Sequence, residues 1–153
     1  MAGWSTASEY AEFPGVLNCE VHLPSLDDDF AANSVQTSFV FDYLTEAEGI
    51  LNTAADFANL GSTDVRHEPL ARISDQVQRT TYFGTYPHEH RKLRCWIDYY
   101  LIGAGTDSGG YLLQHAKTST ETQWSTVEAD FTRSTARFET FVEMAVSHDG
   151  STR

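Results

Sequence analysis

Bases are scarce in this 153-residue chain: two lysines and eight arginines stand against 22 acids, a formal net charge of −12 with neutral histidines. Charged residues make up 21% of the chain, below the roughly 25% of an average globular protein, so the imbalance reflects missing bases more than surplus acids. Such a chain has little with which to neutralise a run of phosphates, which argues against a nucleic-acid partner. It argues equally against docking on an anionic membrane surface. Long apolar runs are also missing. No stretch approaches the about 18 apolar residues of a membrane-spanning helix, so no membrane insertion is expected. The opening MAGWSTASEYAEFPG has neither a basic nor an apolar signal region. The expected location is the cytoplasm, or the exterior or a lipid anchor if a leader has been removed. Cysteine is limited to Cys19 and Cys95, far apart in segments that read as strands. Two buried free thiols are expected, because a disulfide would need those strands adjacent and an oxidising compartment.

What is present is enough apolar material for one core. At 41% hydrophobic and 12% aromatic residues the chain is not disordered, and its length suits a single domain over residues 1–153. Residues 1–13 are small and polar and read as an N-terminal arm, and 147–153 as a polar tail.

Periodicity divides the interior. Val16 to Leu23 alternates with Cys19 and Val21 on one face, stopped by Pro24, and alternation returns over Val35 to Tyr43. Thr45 and Glu48 are spaced as a capping box. Ile50, Leu51, Ala54, Phe57 and Ala58 then recur at helical spacing up to Gly61, placed for a left-handed C-terminal cap. Val65 to Ile73 reads as a strand that Pro69 consigns to an edge. Val77 to Tyr86, Lys92 to Ile102 and Tyr111 to Lys117 complete a four-strand meander. Within Lys92 to Ile102, Leu93, Cys95, Ile97, Tyr99 and Leu101 share one face, and Arg94, Trp96, Asp98 and Tyr100 the other. A second capping box, Thr118 with Glu121, opens a long helix through Trp124, Val127, Phe131, Phe138 and Phe141. The order β-β-α-β-β-β-β-α with short connections implies the α+β class: an antiparallel β-sheet of about six strands flanked by helices.

No motif commits the chain to catalysis, and no catalytic residue, metal site or cofactor is expected. His88-Glu89-His90 lies in a turn, where alternation separates Glu89 from the two imidazoles. Asp27 to Asp29 lacks the ligand spacing and glycine of a calcium loop. Gly103 to Gly110 contains no lysine and joins two strands instead of opening a helix, so it is no phosphate loop. Asp98 and His115 fall on neighbouring strands, where a structural hydrogen bond outweighs a catalytic dyad. The aromatic surplus says more. Tyr82, Tyr86, Trp96, Tyr100 and Tyr111 fall on faces that do not all fit one core, so they either serve a sheet buried on both sides or form an aromatic surface for a partner or ligand.

This order of elements resembles the PsbP-like superfamily, whose LpqN/LpqT-type lipoproteins and Eag-type secretion chaperones share one layout. The resemblance runs from Val16 to Phe141. It is carried by VQTSFVFDYL, ILNTAADFANL, RTTYFGTY with PHEHRKLRCWIDYYLI, GGYLLQHAKTS, and the closing helix with Trp124 and Phe131. Leu23-Pro24 is present without the tryptophan that commonly follows, and Ser74-Asp75 stands where an Asp-Gly turn is usual. The resemblance implies an adaptor or chaperone role without catalysis. The expected function is therefore a protein-binding module whose partner meets Tyr82, Tyr86, Arg94, Trp96 and Tyr100. The alternative is a helix-grip protein, binder or enzyme, with a small hydrophobic ligand in an apolar cavity under the last helix.

Overall fold

Alternating and helical periods build seven strands and two helices in the computed structural model, which describes residues 2–55, 61–103 and 109–149. In chain order these are β1 (Trp4–Thr6), β2 (Val16–His22), β3 (Asn33–Phe41), α1 (Leu44–Ala55), β4 (Thr63–Arg72), β5 (Val77–His88), β6 (Arg91–Ile102), β7 (Gly110–Thr120) and α2 (Trp124–Asp149). Every pairing is antiparallel, in the order β1-β2-β3-β7-β6-β5-β4. The α+β class and the order of elements agree with the sequence reading, with one short strand added at the front. Phe57 and Ala58, at the end of the first expected helix, lie outside the described residues, as does most of the Gly103–Gly110 loop. Gly61 has φ +76°, the left-handed conformation expected of it.

The alternation of β6 decides what each helix covers. Ile97, Tyr99 and Leu101 face α1 and meet Phe41, Ala47, Tyr82 and Leu112. Trp96 and Tyr100 face α2, meeting Val127 and Phe131 toward its start and Phe138 and Val142 toward its end. The sheet's central strands are thus buried on both sides, like a layer between two others. β4 is the edge strand that Pro69 implied: all ten of its residues are exposed, and its pairing with β5 shifts register twice. Bulges and a proline discourage another chain from pairing with such an edge.

Three boundaries differ from the sequence reading. Residues 1–13 are not a loose arm, because Trp4–Thr6 pairs with β2 and buries Trp4 against Phe131 and His22. Its indole N–H donates to Asp130 at 2.9 Å, which attaches the N-terminus to α2. The second capping box is Thr120 with Gln123, two residues beyond Thr118 and Glu121. The Gln123 N–H donates to the Thr120 hydroxyl, and the Thr120 N–H to the Gln123 amide oxygen, at 3.2 and 3.0 Å. β7 simply runs three residues beyond Lys117, where its expected pattern ended. In the first helix the carboxylate reaching back is Glu46, on the Asp42 N–H. Finally, α2 continues unbroken through Ser147 to Asp149, so residues 147–149, which read as the start of a polar tail, are helical.

Close backbone approach accounts for the glycines ending the 103–110 loop. A Cβ at Gly109 would collide with the Phe41 carbonyl oxygen, and one at Gly110 with that of Ile102. These glycines let β3, β6 and β7 converge at one end of the sheet.

Candidate functional site

On the α2 side of the sheet, β4, β5 and β6 are only partly covered, and a cleft of about 420 Å³ remains between them and the first half of α2. Its walls alternate cations and rings. Arg66 from β4 lies over Phe83 of β5, 4.8 Å from the ring centroid. Phe83 meets Trp124 of α2 edge to face at 5.2 Å, and Arg94 of β6 lies 5.6 Å from Trp124. A guanidinium over a ring is attracted by the π system and still has N–H donors for an anionic acceptor. Among the described residues neither Arg66 nor Arg94 has an ion-pair partner.

Arg79, also lining the cleft, is already engaged. It donates to Glu139 at 2.7 Å and lies 3.8 Å from Glu68. Burial works to lower its pKa, but the hydrogen bond and charge of Glu139 raise it overall. Beneath the cleft, Lys117 and Asp98 form a buried pair at 2.5 Å. Lys117 also donates to Thr135 at 2.7 Å, and Thr81 donates to the other Asp98 oxygen. The Lys117 ammonium sits 4.2 Å from the centroid of Trp96. Burial pulls its pKa below the ordinary lysine range, while the Asp98 carboxylate works against that shift.

Four of the ten bases, Arg66, Arg79, Arg94 and Lys117, therefore gather at this cleft or just under it. Two donors here find no acceptor among the described residues: the Nε–H of Arg94 and the indole N–H of Trp96, both shielded from water. Unpaired buried donors are uncommon because each costs about 1–3 kcal/mol.

The five residues expected to form one binding face do not share a face. Arg94 and Trp96 line the cleft, but Tyr100, on the same side, is 0% exposed beneath α2. Its ring meets Phe138 and its hydroxyl donates to Glu139 at 3.3 Å. Tyr82 and Tyr86 are on the opposite side. Tyr82 is buried, stacked on His67 at 4.3 Å, with its hydroxyl donating to the Leu51 carbonyl at 3.4 Å. Tyr86 is half-buried, and that burial raises its pKa. Alternation identified who shares a strand face; it could not say that a polar-looking face would lie under a helix.

Asp98 and His115 are register partners on β6 and β7, yet they form no dyad. Asp98 is taken by Lys117 and Thr81, while His115 Nε2 lies 2.8 Å from the Ser34 hydroxyl and 3.3 Å from that of Ser134. Burial pushes the His115 pKa down to about 2, with Lys117 adding to the effect. His90 turns to Asp29 at 3.1 Å, and Asp28 accepts from Gln123 at 2.7 Å, so the histidine turn and the aspartate loop contact folded neighbours. Among the described residues no cluster of three or more His, Cys, Asp or Glu side chains could hold a metal, and no helix is long and apolar enough to cross a membrane. Cys19 and Cys95 are free and buried. They sit on β2 and β6, with β3 and β7 between, roughly 14 Å apart at about 4.8 Å per strand, too far to pair.

Sequence reasoning missed Arg66, Arg79, Phe83, Trp124 and Lys117 as members of this site. The usable signal was alternation on β5, where Arg79, Thr81 and Phe83 occupy the face opposite Tyr82. No protein-family model matches the chain, and no curated protein matches it. Among solved structures it is similar to the crystal structure of LpqN, involved in cell envelope biogenesis of Mycobacterium tuberculosis, with a TM-score of 0.63 and 12% identity over 87% of this chain and 75% of that one. At that identity the likeness is one of fold: an antiparallel sheet with helices against it, built from a very different sequence.

Proposed function

We propose that this chain is a non-catalytic binding module, an adaptor or specialised chaperone, that holds a partner protein in the cleft between α2 and strands β4 to β6. The observation that carries the reading is the pair of arginines over aromatic rings, Arg66 and Arg94, which have no counter-ion among the described residues, beside the indole N–H of Trp96, which has no acceptor among them either. Arginine and tryptophan are the side chains that most often anchor protein interfaces. The fold shared with LpqN, and the resemblance to the PsbP-like superfamily, are compatible with such a role. The free thiols suit the reducing cytoplasm.

The helix-grip alternative needs an apolar cavity beneath the long helix. That space is occupied by Phe131, Phe138, Val127, Val142 and Tyr100, together with the Lys117–Asp98 pair. This packing favours the protein-binding reading.

The test is affinity capture from the host with the parent protein and with Arg94→Ala and Trp96→Phe, each first checked for an unchanged far-UV CD spectrum. The reading predicts one dominant protein partner whose recovery falls at least tenfold with Arg94→Ala and less with Trp96→Phe. Equal recovery by all three proteins would rule out this surface. A small molecule retained instead, seen by native mass spectrometry, would favour the cavity alternative.

A further inference from the structure

We infer that the partner segment held in this cleft is acidic, presenting two carboxylates at alternate positions of an extended chain to Arg66 and Arg94; this deepens the binding-module reading and rests on it. The chain has only ten bases, yet two of them have no ion-pair partner among the described residues, and each guanidinium lies over an aromatic ring. A guanidinium held over a ring keeps N–H donors for a carboxylate. The spacing selects against a single small anion, because the Phe83 and Trp124 rings lie between the two guanidiniums. Arg66 and Arg94 also stand on β4 and β6, separated by β5 and offset by two residues, since Arg66 pairs with Phe83 and Phe83 with Trp96, so their backbones are about 12 Å apart. Carboxylates at positions i and i+2 of an extended peptide lie about 7 Å apart on one side, and flexible side chains close the difference. The side chain between them projects away from the cleft floor.

The other charges at the cleft refine the inference. Glu68 is close to Arg79, and Asp98 is taken by Lys117. Glu128 lines the cleft with no cationic partner among the described residues, and it would repel an incoming carboxylate. The chain's overall negative charge does not forbid binding, because at physiological ionic strength screening reduces its reach to about 8 Å. Contacts inside the cleft are then decided by the nearest groups.

The experiment uses the full chain labelled with ¹⁵N and follows the three indole N–H signals, assigned by single Trp→Phe variants. Three probes are titrated at 0.15 M salt: a blocked Gly-Glu-Phe-Glu-Gly peptide, its Gln-for-Glu counterpart, and free glutarate. The Glu peptide should shift the signals of Trp96 and Trp124 while leaving that of Trp4 in place. The Gln peptide and glutarate should each bind at least tenfold more weakly. Arg66→Ala and Arg94→Ala should each weaken the Glu peptide about tenfold, and Glu128→Gln should tighten it severalfold. Equal binding of the Gln peptide would overturn acidic recognition while leaving the cleft as the interface. Equal binding of glutarate would replace the peptide by a small dianion. No shift with the Glu peptide would overturn the inference outright, whereas the partner capture above tests the cleft independently.

Discussion

Lys117 is the side chain on which the underside of the cleft most depends. It is 0% exposed, holds Asp98 at 2.5 Å and lies over Trp96. Removing one partner of such a pair leaves an uncompensated buried charge. Lys117→Met should therefore cost about 3–5 kcal/mol in urea denaturation, and adding Asp98→Asn should recover a good part of the loss. His115 supplies a pH signature. Its pKa is near 2 in the fold, but about 6.5 in an unfolded chain, which therefore binds more protons than the folded one between those values. The contribution of neutral His115 is complete above about pH 6.5 and is lost as the pH falls. From pH 7 to pH 5 the parent should lose about 2 kcal/mol relative to His115→Gln, a difference that parallel denaturation curves would read. If the two proteins kept a constant separation, His115 would not be held neutral.

At the scale of elements, the start of α2 depends on the reciprocal Thr120–Gln123 cap. Thr120→Ala should cost about 1 kcal/mol, which lowers Tm by roughly 2–4 °C for a chain of this size. Thr118→Val, at the position the apolar pattern had pointed to, should lower it by less than half as much, and the reverse ranking would contradict the observed cap. This pair illustrates what the sequence made legible. The edge proline in β4 and the strict alternation of β6 follow from local backbone preferences, so each could be read in one dimension, whereas the capping spacing also fits Thr118 and Glu121, two residues before the pair that forms the cap. What remained hidden depended on long-range burial. Asp98 and His115 read as a hydrogen-bonded couple on neighbouring strands, but beneath α2 Asp98 is held by Lys117 and Thr81, and His115 by Ser34. Trp4 looked like part of a polar arm because its partner Asp130 is 126 residues away. Tyr100 was assigned to an exposed face because nothing in its strand announces that Phe138 and Glu139 will cover it.

At the scale of the molecule, the cleft gathers scarce bases within an acidic chain, and the account rests on that surface being where a partner binds. The opposite end of the sheet offers a rival, where Val40, 74% exposed, is paired with the exposed Tyr111. The most direct test places a photo-crosslinking p-benzoylphenylalanine at Glu128 in one protein and at Val40 in another, both irradiated in host cells. The account predicts a covalent adduct at Glu128 with the same partner that the parent protein captures, and none at Val40. An adduct with that partner at Val40 and none at Glu128 would contradict it.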